Sequence, residues 1–239
     1  MEQTSPVPSA EADPRRARII EAAFTLLMEQ GYAGAGTREI ARRARVSKRE
    51  LYALFGSKRG VVAAMIAGRT ARMREPLALP QVADRAALAE TLTRFGIALV
   101  REVSRPEVLA LFRLAVAEVD RSPELARTLD EGGRHANRRA LVDFLACARE
   151  RGLIAGAAAE DMAGEFLALL WGDLLLRLLL RRAEPPLARD IEQRARDAAE
   201  NLLALHPAAA SMAESGRLNP GRGGAGKRGA RTIARPARF

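Results

Sequence analysis

The stretch GTREIARRARVSKRELYALFGSKRGVV, residues 36–62, decides the fold because it encodes two short helices joined by a tight turn. Thr37 is predicted to N-cap the first helix, in which the small residue Ala41 permits a close crossing. Ser47 and Glu50, three residues apart, form a capping box that opens the second helix. The predicted buried residues of the pair are Ile40, Ala41, Ala44, Val46, Leu51, Leu54 and Phe55. Two helices of about eight residues with this spacing predict a helix-turn-helix.

Two further helices flank this motif. Asp13 and Pro14 are an N-cap and first-turn pair, and Gly31 is expected to end the helix that they begin. After the motif, a helix is predicted over Lys58–Arg74. Together these elements define a domain at residues 13–75.

The middle of the chain, residues 82–206, has the apolar periodicity of helices throughout. The predicted helices run from Asp84 to near Pro106, through Val108–Val119, over Glu124–Arg151, over 160–182 and over Leu187–Leu205. Gly132 and Gly133 predict a kink in the third of these. The stretch 160–182 is apolar nearly all round and is expected to form one helix buried on several sides.

The composition supports an all-α fold and excludes several kinds of site. Ala and Leu contribute 79 of the 239 residues, whereas Val, Ile and Thr contribute 27, which favours helices over sheets. A single cysteine and two histidines exclude an intrachain disulfide and an ordinary His/Cys metal site, so no cofactor or metal is expected. The most apolar stretch, Phe166–Leu180, contains charges and is shorter than a membrane span, so no membrane partner is expected.

The net charge of +10 is concentrated at two regions of the chain. Residues 15–74 contain 14 basic and 4 acidic residues, and residues 211–239 contain 7 and 1. This distribution predicts a polyanionic partner. Residues 1–12 and 207–239 are expected to be a disordered arm and a disordered Arg/Gly-rich tail. The tail sequence GRGGAGK (residues 221–227) has phosphate-loop spacing, but it lacks the required Ser/Thr and flanking elements, so nucleotide binding is not expected there.

Residues 36–62 resemble the DNA-binding core of the TetR/AcrR family of bacterial transcriptional regulators. The resemblance is carried by Thr37, Ala41, Ala44, Val46, Ser47, Lys48, Leu51, Tyr52, Phe55, Ser57 and Lys58. Residues 111–133 are similar to the AefR-like C-terminal domains of that family. The resemblance implies an all-helical homodimer that dimerises through its last two helices and holds a small-molecule pocket. The single cysteine separately indicates a cytoplasmic location.

Three positions depart from the family pattern. Arg45 stands where the family usually has glycine, and a non-glycine residue with positive φ there would cost about 1 kcal/mol. Arg49 and Glu50 replace residues that are often Gly and Thr, so the base preference of the family does not transfer to this chain.

The predicted DNA-contacting residues cluster around the motif. They are Thr37, Arg38, Arg45, Ser47, Lys48, Arg49, Tyr52 and Lys58. Arg49 is suited to bidentate contact with guanine, whereas Thr37 and Lys58 begin helices whose N-termini favour phosphate. The alternative is a solvated charged face, and for Glu50 a purely structural role in the capping box. Three further arginines, Arg15, Arg16 and Arg18, are expected to add non-specific phosphate attraction.

The middle domain is expected to supply an effector pocket and a dimer interface. The candidate pocket residues are Phe95, Leu99, Phe112, His135, Phe144 and Trp171, and the alternative for each is an ordinary core position. The candidate interface residues are Phe166, Leu170, Leu174, Leu178 and Leu202. Cys147 is interpreted as a buried, inert thiol.

These features predict a non-enzymatic, ligand-responsive regulator that acts as a repressor. It is expected to bind a palindromic double-stranded DNA operator as a homodimer and to be released by a small apolar effector. One alternative is a helical enzyme or small-molecule-binding protein with an incidental basic end, although no catalytic set emerges at useful spacing. The other is a sequence-indifferent DNA binder that depends on the Arg-rich tail.

Overall fold

A computed structural model of the chain describes residues 13–78 and 82–208 and contains helices but no strand in those ranges. The α-helices are α1 (Pro14–Gly34), α2 (Thr37–Ala44), α3 (Lys48–Phe55), α4 (Lys58–Arg74), α5 (Arg85–Val103), α6 (Pro106–Ala117), α7 (Pro123–Leu129), α8 (Ala136–Glu150), α9 (Ala159–Trp171), α10 (Leu174–Leu179) and α11 (Ala188–Leu205). A 3₁₀ turn, Glu75–Ala78, follows α4, and a π-helical segment, Asp130–His135, joins α7 to α8. The predicted arm at 1–12, the phosphate-loop-like sequence and the tail beyond residue 208 lie outside the described residues.

Side-chain caps begin three of the first four helices. The Asp13 carboxylate accepts a hydrogen bond from the backbone N–H of Arg15 at 2.9 Å. The predicted capping box is confirmed, since Glu50 N–H donates to Ser47 Oγ at 3.1 Å and Ser47 N–H donates to Glu50 Oε2 at 2.8 Å. Ser57 caps α4 by a single bond, in which its Oγ accepts from Gly60 N–H at 3.0 Å. These bonds satisfy N–H groups that the first turn of a helix leaves unpaired.

The prediction that Thr37 caps α2 is wrong, because Gly36 occupies that position. Gly36 has extended backbone angles and its carbonyl accepts from Ile40 N–H at 3.0 Å, so Thr37 is the first helical residue. The prediction for Arg45 is confirmed: it ends α2 in the left-handed conformation, at φ +54° and ψ +48°. Gly31 breaks α1 at φ +73° and ψ 179°, and one further turn precedes α2.

The first four helices enclose a core that continues into the middle of the chain. Leu26, Ile40, Leu51 and Val61 are all at most 1% exposed. The same apolar cluster includes Leu111 and Ala115 from α6 and Leu125 and Leu129 from α7. The DNA-binding domain is therefore packed directly against α6 and α7. A movement of either helix would change its contacts with α1 and α4.

A second core is formed by α5, α8, α9 and α11. Phe95 and Phe166 lie at its centre, both fully buried, with ring centroids 6.2 Å apart. Helices α5 and α11 approach closely at Gly96, where an added Cβ would lie 3.0 Å from the Cβ of Ala195. A glycine at this crossing thus allows the two backbones to pack tightly.

Three predicted helices differ from the observed ones. The stretch 160–182 forms two helices, because Gly172 adopts φ +46° between α9 and α10. Val119 lies beyond the end of α6 and is 44% exposed. The predicted helix from Glu124 is interrupted by the π-helical segment that contains both glycines. None of the described helices is long and apolar enough to cross a membrane.

Candidate DNA interface and ligand cavity

Four cations around the helix-turn-helix are exposed and unpaired. Arg38, Arg45, Lys48 and Arg49 form no ion pair with any carboxylate in the part of the chain that the structure describes. All four belong to the predicted DNA-contacting set. Their charges are available to an external anion, because no internal partner neutralises them.

Two neighbouring arginines of α2 are engaged within the protein. Arg42 Nη2 lies 2.6 Å from Glu39 Oε1, and Arg43 Nη2 lies 2.7 Å from Glu29 Oε2. The hydrogen bond from Arg42, with a further one from Arg43, lowers the pKa of Glu39 to about 2. Arg42 thus provides an exposed but paired counterpart to the four free cations.

The exposed face of α3 carries Lys48, Arg49 and Tyr52, while Leu51 on the opposite face is fully buried. The Lys48 ammonium lies 5.7 Å from the centre of the Tyr52 ring. The Tyr52 hydroxyl lies 3.3 Å from Thr37 Oγ1, so the start of α2 adjoins the middle of α3. Thr37 and Tyr52 are 15 residues apart in the chain, and sequence spacing alone could not show that their side chains meet.

Glu50 is occupied by structural contacts. Besides its capping-box bond, its Oε1 lies 3.3 Å from Arg15 Nη1. The backbone N–H of Ser47 is the main cause that lowers the pKa of Glu50, with a smaller effect from Arg15. These contacts support the structural alternative for Glu50.

The arginines of α1 turn toward the protein. Arg15 contacts the carboxylates of Asp13 and Glu50. Arg16 donates to the Leu54 carbonyl at 3.0 Å, and Arg18 donates to the Ala44 carbonyl at 3.1 Å. Their guanidinium groups thus tie α1 to α2 and α3, and their attraction for phosphate stays a prediction.

Lys58 is also used internally. Its ammonium donates to the Tyr32 carbonyl at 2.5 Å and lies 4.2 Å from the centre of the Tyr32 ring. Burial lowers the pKa of Lys58. Lys58 therefore joins the end of α1 to α4, and its contact with DNA phosphate stays a prediction.

A cavity of about 360 Å³ lies beside α4 and is walled by α5, α6, α8 and α9. Three of the predicted pocket residues, Leu99, Phe112 and Trp171, line it together. Its volume is at the lower end of the range for small-ligand pockets. Ile66, Thr70 and Met73 bring α4, the last helix of the DNA-binding domain, into the same wall.

The other three predicted pocket residues lie elsewhere. Phe95 is packed inside the second core, and His135 is exposed on the π-helical segment. Phe144 lines a separate, more open cavity of about 570 Å³, together with Cys147 and Arg151. The interpretation of Cys147 as buried is wrong, since the thiol is exposed. Helical periodicity identified the apolar faces of these helices. It could not show which of the two cavities, if either, each face lines.

The polar residues of the cavity wall beside α4 were missed by the sequence reasoning. They are Arg69, Thr70, Arg134, Asn137 and Arg138. Ile66, Thr70 and Met73 recur at helical spacing on α4, which was the one available signal. The apolar periodicity on which the predictions were based gave polar residues no weight.

All five predicted interface residues are buried inside the protomer, which makes that prediction wrong. Phe166, Leu170, Leu174, Leu178 and Leu202 are at most 7% exposed. The large apolar residues that α9, α10 and α11 expose are others, namely Leu169, Leu176 and Leu205, with Leu180 just after α10. In a stretch that is apolar nearly all round, the pattern does not tell the core face from the outer face.

Two family models match the chain. The model for bacterial regulatory proteins of the tetR family matches residues 19–65, and that for the AefR-like transcriptional repressor C-terminal domain matches residues 90–206. Among curated proteins, the chain is 31% identical over 174 residues to the uncharacterized HTH-type transcriptional regulator Mb1581 of Mycobacterium bovis, covering 72% of this chain and 80% of that one. It is 26% identical over 175 residues to YvkB of Bacillus subtilis, another uncharacterized HTH-type regulator, covering 70% and 85%.

Solved structures agree with these relatives. A TetR transcriptional regulator from Agrobacterium tumefaciens is 30% identical, with a TM-score of 0.67 over 84% of this chain and 99% of that one. The flavonoid-responsive regulator FrrA is 30% identical, with a TM-score of 0.64 over 80% and 96%. Because both the helix-turn-helix and the larger helical domain match over most of their length, the chain belongs to the TetR family of DNA-binding transcriptional regulators, with an AefR-like C-terminal domain.

Proposed function

We propose that this regulator is a repressor that binds a palindromic operator as a homodimer and is released by a small effector. The observation that carries the proposal is the set of four exposed, unpaired cations, Arg38, Arg45, Lys48 and Arg49, around a helix whose other face is buried. In the proposed complex α3 lies in the major groove. Arg49 contacts guanine. The sugar-phosphate backbone of the DNA is contacted by the other three cations and by Thr37, Ser47 and Tyr52.

The proposed dimer uses the apolar side chains that the protomer leaves exposed. Leu169 on α9, Leu176 on α10 and Leu180 just after it are 39%, 59% and 62% exposed. Exposed leucines on two consecutive helices favour an association surface in this part of the protomer. Two-fold symmetry would then place the two α3 helices ~34–36 Å apart, one turn of DNA.

Release is proposed to act through α4. Ile66, Thr70 and Met73 of this helix line the cavity. The N-terminus of the same helix, capped by Ser57, follows directly after α3. An effector that binds better when α4 is displaced shifts the population away from the DNA-binding state, by no more than its difference in affinity for the two states. The structural similarity to FrrA, a flavonoid-responsive regulator, supports the proposal of small-molecule control.

The test of DNA recognition is a footprint on DNA from upstream of the gene and its neighbours, with excess random competitor at ~150 mM salt. A protected palindrome of one to two turns is expected. Arg49→Ala should weaken operator binding by about 1–3 kcal/mol and relax the sequence preference. Arg42→Ala is the matched control, because Arg42 is exposed on α2 but paired with Glu39.

Two results would contradict the proposed recognition. If Arg49→Ala and Arg42→Ala lost the same affinity for every DNA sequence, Arg49 would not be a base-contacting residue. Loss of all protection on adding competitor would leave only counterion-driven binding. A chain ending at residue 208 should keep its footprint, whereas a binder that depends on the tail would lose most of its affinity.

The dimer is tested by Leu176→Glu, which places a charge on the exposed apolar surface. Light scattering is expected to give the dimer mass for the wild type and the monomer mass for the variant. Arg139→Glu, at an exposed residue of α8 and thus outside the last two helices, is the control and should remain dimeric. An unchanged dimer mass for Leu176→Glu would move the interface elsewhere.

A further inference from the structure

The cavity beside α4 has an apolar wall interrupted by a few polar side chains, and these indicate the chemistry of its ligand. Leu99, Val103, Phe112, Leu167 and Trp171 are among the apolar residues. Such a wall favours a ligand with an apolar body, and polar groups placed in it fix the ligand's orientation.

The arginines of the wall already have partners. Arg69 Nη1 lies 2.6 Å from Glu102 Oε1, and Arg134 Nε lies 2.5 Å from Asp130 Oδ1. Arg138 donates to the Glu160 carbonyl at 2.8 Å. Two of the three positive charges are thus paired with carboxylates of the protein. An anionic ligand would also lose its own hydration on entering a mostly apolar wall, so the wall favours an uncharged ligand.

Asn137 differs from the other polar residues of the wall. Its side-chain N–H donates to the Met73 sulfur at 3.2 Å, and the residue is 4% exposed. Its Oδ1 has no hydrogen-bond partner among residues 13–78 and 82–208. A thioether can only accept a hydrogen bond, so the contact with Met73 fixes which end of the amide is left without a partner.

By contrast, the hydroxyl of Thr70 has acceptors within the protein. Its Oγ1 lies 2.9 Å from the Ile66 carbonyl and 2.8 Å from the Gly132 carbonyl. The unsatisfied group of the wall is therefore an acceptor, which calls for a donor on the ligand.

We propose that the cavity binds an uncharged, largely apolar molecule that carries a hydroxyl group, and that this hydroxyl donates to Asn137 Oδ1. The inference rests on the proposed function, in which this cavity is the effector site. Oδ1 is buried in the structure, so binding requires a rotation about χ2, a soft torsion in asparagine, that exposes Oδ1 to the cavity. The rotation breaks the bond from Nδ2 to sulfur, a weak acceptor, and the ligand supplies an O–H···O bond to Oδ1.

The test uses three matched probes at pH 7: 4-cyclohexylphenol, its methyl ether 4-cyclohexylanisole, and 4-cyclohexylbenzoate. They share the same apolar body and differ in offering a donor, no donor or a negative charge. Calorimetry is expected to show the phenol binding about 3- to 10-fold more tightly than the ether, as for one net hydrogen bond. Trp171 is the one tryptophan of the chain and lines the cavity, so its emission should change on binding.

Three outcomes with the wild-type protein overturn the proposal. Equal affinities for the phenol and the ether would show that no donor is recognised. Tighter binding of the benzoate would show that the arginines select an anion. Absence of binding for all three probes would show that this ligand class does not enter the cavity.

Asn137→Leu removes the acceptor while keeping a side chain of similar size, and it is expected to bind the phenol and the ether equally. Ser104→Ala is the matched control. Ser104 Oγ is the other buried side-chain oxygen without a partner in the described ranges, but it does not line the cavity. This variant should keep the preference for the phenol. If Asn137→Leu kept it too, the role of Asn137 would be refuted, and if that variant fails to fold, the wild-type series decides.

A separate footprint distinguishes this proposal from the proposed function. Binding of the phenol with no loss of the operator footprint would leave the ligand class standing and refute release by an effector. Loss of the footprint with a ligand that leaves Trp171 emission unchanged would support release but place the ligand outside this cavity.

Discussion

Arg45 holds a backbone conformation that costs free energy, and its substitution separates folding from DNA binding. The residue has φ +54° and ψ +48° at the end of α2. For a residue with a Cβ this conformation costs about 1–2 kcal/mol, whereas glycine adopts it freely. Glycine loses more backbone entropy on folding, by roughly 0.5–1 kcal/mol. Arg45→Gly is therefore expected to be more stable than Arg45→Ala by about 1 kcal/mol.

Both variants remove the same exposed charge, so they should lose DNA affinity equally. The slope of log affinity against log salt concentration should become shallower by about 1 for each phosphate that the variant no longer neutralises. Alanine is the matched control for glycine because it keeps the Cβ that causes the strain. The two variants are thus expected to differ in stability and to agree in DNA binding.

Urea unfolding at one protein concentration measures the stability difference, because the stability of an oligomer depends on concentration. In thermal unfolding, 1 kcal/mol corresponds to about 2–4 °C for a chain of this size. If Arg45→Ala were as stable as Arg45→Gly, or more stable, the argument from backbone strain would be refuted. Wild-type DNA affinity in both variants would remove Arg45 from the DNA-facing set.

Three further predictions concern single side chains. Gly31→Ala should destabilise the protein by about 1–3 kcal/mol in urea unfolding, because φ +73° with ψ 179° is a glycine conformation and the new Cβ would meet the Glu118 carboxylate; wild-type stability would contradict this. Lys58→Met should lower the unfolding midpoint, since the ammonium is bound to Tyr32; a loss of operator affinity of more than about threefold would support the predicted phosphate contact of Lys58, and a smaller loss would contradict it. Glu39 has a pKa of about 2 against an ordinary 4.5, so its contribution to stability is complete above about pH 4.5 and is lost as the pH falls toward 2. Unfolding midpoints between pH 6 and 3 should therefore fall more for the wild type than for Glu39→Gln, and parallel curves would contradict the assigned pKa.

Features of the fold that depend on near neighbours in the chain could be predicted from the sequence. The capping box of Ser47 and Glu50, the cap at Asp13 and the left-handed Arg45 all involve contacts within a few residues. The exposed cations of α3 followed from the same reasoning, since a helix with Leu51 on its buried face must turn Lys48 and Arg49 outward.

Other features required the packing of distant segments. The ammonium of Lys58 meets the Tyr32 carbonyl across 26 residues, and Asn137 meets Met73 across 64. No local pattern records such a contact, because it depends on where two helices cross. For this reason the sequence reasoning missed the polar residues of the cavity wall and the internal contact of Lys58.

The division between what the sequence determined and what the tertiary structure decided is clearest in α9 and α10. Composition and periodicity were sufficient to predict an all-helical chain with an N-terminal helix-turn-helix, because helix formation and capping are local. Leu174, Leu176 and Leu178 are alike as sequence, yet the first and third are buried and the second is 59% exposed. Only the packing of α10 against its neighbours distinguishes them, since the burial of an apolar side chain is set by what lies opposite it and not by its own chemistry.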